Sequence, residues 1–214
     1  MLKILQRGLL LMLACLPLAG HASASTPQQV VQTSIDRVLG ELTTKREQFK
    51  QDPEAYYQTL DSILGPVVDF DGFARGVMTV RYSRQASPAQ MQAFQDSFKR
   101  SLVRFYGNAL LEYDNQEIRM LPAPPSREPN RASVNMEVVG SNGAIYPLTY
   151  TMELKDGSWK VRNVIINGIN IGKLFRDQFA DAMRSNGNDL DRVIATWGDA
   201  VARAQQATEQ GGQR

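Results

Sequence analysis

The stretch from Trp159 to Phe179 passes from strand spacing to helix spacing with almost no polar chemistry between. Its first half puts Trp159, Val161, Asn163 and Ile165 on one side of a two-residue period and Lys160, Arg162, Val164 and Ile166 on the other. The Lys/Arg side therefore turns apolar at Val164 and Ile166. Gly168 and Gly172 then loosen the backbone, and Leu174, Phe175 and Phe179 recur at helical spacing. Two readings stay open: a core strand leading into a core helix, or a wall that lines an apolar cavity.

The rest of the chain sets this segment in an α+β order. Thr26-Pro27 reads as a cap with proline at the first helical position, and Val30, Val31, Ile35, Val38, Leu39 and Leu42 share one stripe. The continuation from Lys45 to Lys50 is mostly charged and reads as a solvated face. Asp52-Pro53 repeats the cap signal ahead of Tyr56, Tyr57, Leu60, Ile63 and Leu64. A short, glycine-punctuated helical piece runs from Val67 to Met78 and leads to Tyr82. Ser87-Pro88 opens the clearest helix, with Met91, Phe94, Phe98, Leu102, Phe105, Tyr106 and Ala109 three or four apart.

From Glu117 the period becomes two. Ile118 and Met120, then Val134, Met136 and Val138, then Tyr146, Leu148, Tyr150, Met152 and Leu154 predict three alternating strands ahead of Trp159. A proline-rich connection, Ser141-Asn142-Gly143 and Lys155-Asp156-Gly157-Ser158 join them, which makes an antiparallel meander with one apolar face. After Phe179 the helix stops near Asn186-Gly187. Asn188 or Asp189 caps a last helix bearing Leu190, Val193, Ile194, Trp197 and Val201, and a polar tail covers 204–214.

Lys3 and Arg7, the apolar run from Leu9 to Ala19 and Ala22-Ser23-Ala24 predict a cleaved secretory signal peptide over residues 1–24. The run falls short of the roughly 20 residues that span a bilayer. A lipoprotein signal at Cys15 fits less well, since Met12 stands where leucine is usual. Residues 25–203 are then expected to form a single domain, with room for two intertwined subdomains. The chain has 24 Lys+Arg against 22 Asp+Glu, and removal of Lys3 and Arg7 balances the two. No overall basic field remains for nucleic acid or anionic lipid. Cys15 and His21 are the sole Cys and His, and both leave with the signal. Disulfides, thiol chemistry, Ser-His-Asp systems, haem ligation by His and the usual zinc sites leave with them.

Carboxylate and tyrosine chemistry remains. Asp69 and Asp71 share a face if extended and diverge in a helix, and Tyr82 is near enough in sequence to act with them; a helix cap is the competing reading of Asp69. Arg176, between Phe175 and Phe179, suits a phosphate at a pocket mouth or an ion pair with Asp177, Asp181 or another carboxylate. Neither a metal-ligand spacing, a P-loop, a dinucleotide fingerprint nor a G-x-S-x-G elbow is present in the sequence.

The capped first helix, the piece from Val68-Asp69-Phe70 to Met78, the helix from Phe94 to Tyr106, the strand opening Trp159-Lys160-Val161, and Val164 to Ile171 leading into Phe175-Arg176-Asp177-Gln178-Phe179 together resemble the MlaC, or toluene-tolerance, family. These are periplasmic phospholipid-binding proteins of Gram-negative bacteria. The resemblance spans roughly Pro27 to Trp197, with Asn163 where members often carry Asp and Asn170 where Ser is common. It implies a curved antiparallel sheet covered by helices, of the NTF2-like kind, around a deep apolar pocket that holds acyl chains. It implies a periplasmic carrier of glycerophospholipids that maintains outer-membrane lipid asymmetry, with no catalytic cofactor and phospholipid as cargo. The implied partners are an outer-membrane lipoprotein-porin complex and an inner-membrane ABC transporter with an MCE-domain subunit.

On that reading the pocket wall draws Phe73 and Val77 from the glycine-punctuated piece and Phe98, Leu102, Phe105 and Tyr106 from the aromatic helix. The meander supplies Val134, Met136, Leu148, Tyr150 and Met152. Trp159, Val161, Val164, Ile166, Ile169, Ile171 and Phe175 complete it, and Arg176 is the candidate headgroup contact. Two other functions compete: an NTF2-like enzyme using Asp69 or Asp71 with Tyr82 on a hydrophobic substrate, as ketosteroid isomerase-like proteins do, and an exported adaptor whose apolar wall is plain core.

Overall fold

The computed structural model describes residues 25–122, 126 and 128–211. The expected signal peptide at residues 1–24 lies outside the described residues, as do three residues of the proline-rich connection, 123–125. Four helices come first: α1 (Pro27–Gln51), α2 (Pro53–Leu64), α3 (Phe70–Ser83) and α4 (Pro88–Leu111). A sheet of β1 (Glu117–Leu121), β2 (Arg131–Val139), β3 (Ile145–Lys155), β4 (Ser158–Ile166) and β5 (Ile169–Asn170) follows, and α5 (Ile171–Ser185) and α6 (Leu190–Gly211) close the chain. The architecture is α+β.

The caps act as their spacing predicts. Thr26 and Gln29 form a reciprocal capping box at α1, Asp52 accepts from the Ala55 N–H at α2, and Ser87 and Gln90 repeat the box at α4. Asp189, rather than Asn188, caps α6 by accepting from the Arg192 N–H. That helix continues to Gly211, well into the segment read as a polar tail, because no Gly or Pro interrupts its last two turns. The glycine-punctuated piece is a full helix, α3, broken by a kink at Thr79.

The sheet is an antiparallel meander in the order β1-β2-β3-β4-β5. Asp156 and Gly157 take positive φ in the β3–β4 turn, and Asn167 and Gly168 do so in the β4–β5 turn. The β4–β5 hairpin lies where the spacing predicts a direct passage from strand to helix. Asn-Gly between apolar flanks is a strong hairpin signal, so its φ of +80° makes Gly168 a tight-turn residue rather than a looseness in the chain.

In β4 the structure corrects the strict two-residue period. Asn163 pairs with Thr151, but Met152 pairs with Val161, so Arg162 is an extra residue in a β-bulge. The face therefore switches parity at Arg162: Trp159 and Val161 lie on the same side as Val164 and Ile166. On the other edge of β4, Val68 makes a parallel bridge with Val161, held by hydrogen bonds from the Asp69 N–H to the Val161 carbonyl (3.0 Å) and from the Val161 N–H to the Val67 carbonyl (2.9 Å).

Three apolar clusters hold these parts. The first joins α3, α4, α5 and α6 through rings packed edge to face, with Phe94 5.2 Å from both Phe179 and Trp197 and Phe98 5.3 Å from Phe175. The second ties the C-terminal half of α1 to α2 around Leu42, Phe49, Tyr56 and Leu60, with Val103 and Leu110 of α4 against it. The third lies on the sheet under Val31 of α1. Because Phe94 is fully buried at the centre of the first cluster, Phe94→Ala should cost about 3–5 kcal/mol. Urea denaturation of the purified protein reads this as a lower midpoint with the slope little changed.

Candidate functional site

Residues directly opposite on paired strands share a face, so the register assembles one apolar surface in rows. Met120, Met136, Leu148 and Ile166 form one row; Val134, Tyr150 and Val164 the next; Ala132, Met152 and Val161 a third; Leu154 and Trp159 the last. The bulge at Arg162 makes the β4 members of all these rows fall on one side. Val134, Met136, Met152 and Val161 are buried, whereas Met120, Leu148, Tyr150, Trp159, Val164 and Ile166 are only half-buried. Val164 packs on both the sheet cluster and the helical cluster, so it marks where the two layers meet.

Two phenols are desolvated, one packed on each cluster. Tyr150 and Tyr106 are half-buried, yet loss of solvent around each raises its pKa to about 12. In both cases burial of the phenol is the cause. Tyr106 and Leu102 pack on the helical cluster from α4, and Tyr150 and Leu148 pack on the sheet cluster from β3.

The other candidates fall into distinct places. Phe73, Val77, Phe98, Ile171 and Phe175 are buried in the helical cluster. Ile169 is 55% exposed on β5. The Phe105 side chain lies outside the described residues. Arg176 is exposed and makes no ion pair with Asp177 or Asp181, which belong to Lys173 and Arg184; its Nε donates to the Gly76 carbonyl at 3.1 Å. Of the two readings of Arg176, the ion pair is not formed among the described residues, and the reason is local, since Lys173 and Arg184 hold those carboxylates from about one turn away on α5.

The acid-base trio is not assembled. Asp69 caps α3, accepting from the Gly72 N–H at 3.1 Å, and pairs with Arg162 at 2.5 Å and Lys155 at 3.3 Å. Burial works against its ionisation, yet the Gly72 N–H and the two cations outweigh burial and hold its pKa below the usual carboxylate range. Asp71 pairs with Arg75, and the Tyr82 hydroxyl donates to Asn188. A carboxylate held ionised this firmly is a poor proton acceptor near neutral pH.

Gly72 and Gly172 allow close approach, not looseness. A Cβ on Gly72 would lie 1.2 Å from the Arg162 guanidinium, and one on Gly172 would lie 2.7 Å from Asn163 Oδ1. Asn163 and Asn170 act at the same junction: Asn170 caps α5 and accepts from Asn163, whose own oxygen accepts from the Gly172 N–H at 2.9 Å. Both positions are structural caps that fasten α5 to β4.

A separate open groove of about 790 Å3 runs beside α3, the start of α4, Lys155 and Arg162. None of the apolar rows lines it. Among the described residues no cluster of three or more His, Cys, Asp or Glu is placed to hold a metal ion.

Comparison with known proteins follows this geometry. A model of the MlaC protein family matches residues 32–199. The toluene tolerance protein ttg2D of Pseudomonas putida is 58% identical over 98% of this chain and 96% of its own length. The intermembrane phospholipid transport system binding protein MlaC of Haemophilus influenzae is 23% identical over 69% of this chain and 70% of its own. Among solved structures, a phospholipid-binding protein from Ralstonia solanacearum, in complex with a phospholipid, superposes with a TM-score of 0.75 at 27% identity, covering 84% of this chain and 98% of that one.

The state of Asp69 has a consequence for stability against pH. Its folded pKa is depressed, so its ion pairs stabilise the fold fully above the unfolded value of about 3.9, and that contribution is lost as pH falls through the lower folded value. Asp69→Asn should keep the cap but lose the pairs, costing about 1–3 kcal/mol at pH 7, less than for a fully buried pair because Arg162 is partly solvated. Chemical denaturation at pH 7 and again near pH 3 should show the difference between variant and parent shrinking at the lower pH.

Proposed function

The chain belongs to the MlaC family, and we propose that it is a periplasmic phospholipid carrier that covers acyl chains with the apolar face of its sheet. The half-covered rows of that face carry the reading. A phospholipid tail offers only methylenes, so its site needs apolar walls, and the half-buried Leu148, Tyr150, Val164 and Ile166 of the sheet supply one, with Val164 and Ile166 also packed on the helical cluster that Leu102 and Tyr106 join. The phospholipid held by the related Ralstonia protein supports the same class of ligand.

On this proposal the glycerophospholipid is cargo and no catalytic cofactor takes part. The fully buried candidates, Phe98 and Phe175 among them, form the floor on which the wall rests, and Arg176 stands at the α3–α5 edge as the candidate headgroup contact. The expected exchange partners are an outer-membrane lipoprotein-porin complex and an inner-membrane ABC transporter with an MCE-domain subunit. Shuttling between them would serve outer-membrane lipid asymmetry.

Detergent-free purification followed by native mass spectrometry and lipid extraction tests the reading. Stoichiometric phospholipid on the purified protein is the expected result, and an empty, compact protein would refute it. Val164→Glu, which sets a charge where the two layers meet, should lower lipid occupancy at least tenfold while circular dichroism retains the parent helix and strand signals.

A further inference from the structure

The groove beside α3 is a different surface from the apolar rows, and its chemistry is mixed. Arg75, Arg84, Lys155 and Arg162 line it against only two acids, Asp69 and Asp71. Those acids are already engaged, Asp71 by Arg75 and Asp69 by Arg162 and Lys155, and Arg84 has no ion pair among the described residues. Glu153 pairs with Arg162 as well, so the unmatched charge at the groove is the guanidinium of Arg84. Beside it stands Val80, 61% exposed, directly after Thr79 at φ 63°, ψ 166°, a conformation nearly confined to glycine. A β-branched residue held there sits at the one sharp break in α3, and the groove keeps an exposed aliphatic side chain next to guanidinium groups.

We propose that this groove docks an acidic segment of a membrane-protein partner, one that carries an aliphatic or aromatic side chain beside its carboxylates. The guanidinium of Arg84 receives a carboxylate, and Val80 meets the apolar side chain. An open groove of about 790 Å3 has room for a discrete polypeptide segment. The inference rests on the carrier reading, since a carrier that exchanges lipid must be recognised by the proteins that supply or accept it. Because no residue of the apolar rows lines the groove, docking leaves the cargo wall untouched.

The test is co-sedimentation of the lipid-loaded protein with membrane vesicles prepared from the bacterium that makes it, at low and high salt. Arg84→Glu and Val80→Asp should each weaken binding by roughly tenfold, with the parent's binding falling as salt rises. Both sites are exposed, so extracted lipid and thermal midpoint should match the parent, which separates failure of docking from failure of the carrier reading. Protease-treated vesicles should lose the binding. Equal binding of parent and both variants, absence of parent binding, or equal binding to vesicles of the extracted lipids alone would overturn the proposal.

Discussion

One extra residue in a strand organises this protein. Trp159 and Val161 are odd-numbered and Val164 and Ile166 even-numbered, so a regular β4 would turn one pair away from the layer that the other pair faces. The bulge at Arg162 brings both pairs to one side and leaves the extra residue free of the ladder. Its guanidinium then reaches Asp69 and Glu153, over a Gly72 that has no room for a side chain. The same stretch of β4 takes Val68 on its far edge. Helix α3 is thereby fastened to the sheet by backbone hydrogen bonds and by a largely buried carboxylate whose charge is matched. Removing one partner of such a pair leaves the other buried without compensation, which makes the junction a firm one.

What the bulge secures is a continuous apolar face, and the proposed cargo explains why its cover stays partial. Burying one 16-carbon chain is worth on the order of 12 kcal/mol at about 0.8 kcal/mol per methylene, so two chains approach the practical limit of non-covalent affinity. Escape into water is then very slow. A membrane or another lipid-binding protein offers an equally dry destination, so transfer between dry sites can be nearly balanced while the aqueous route keeps a high barrier. Exchange within docked complexes follows from these magnitudes, and the proposed cargo wall and proposed docking groove lie on separate sets of residues.

Much of this was legible in the residues because local signals agree with the fold. Thr26-Pro27, Asp52-Pro53 and Ser87-Pro88 open helices where their caps say, and the alternation of Val134, Met136, Leu148, Tyr150 and Met152 marks the inner face of the meander. The parity change at Val164 was also visible in the sequence, but a bulge depends on how β3 pairs across the strand, which one strand's pattern does not contain. Gly172 reads as flexible for a related reason: a glycine that lets Asn163 approach looks, in sequence, like one that lets the chain bend. The charged groove left no periodic mark at all, since α3, Lys155 and Arg162 converge only through tertiary packing.

The same separation of roles bears on direction. A carrier shifts an equilibrium only as far as its partners bind its loaded and empty forms differently. If the docking residues do not line the cargo wall, recognition through them is nearly indifferent to cargo, and docking speeds exchange both ways. No P-loop or other nucleotide motif occurs in the chain to couple transfer to an energy source. Net direction under the proposed function therefore arises in the partners, through their own affinity for lipid or their own use of ATP. On that proposal the protein's part is to keep the tails dry between them.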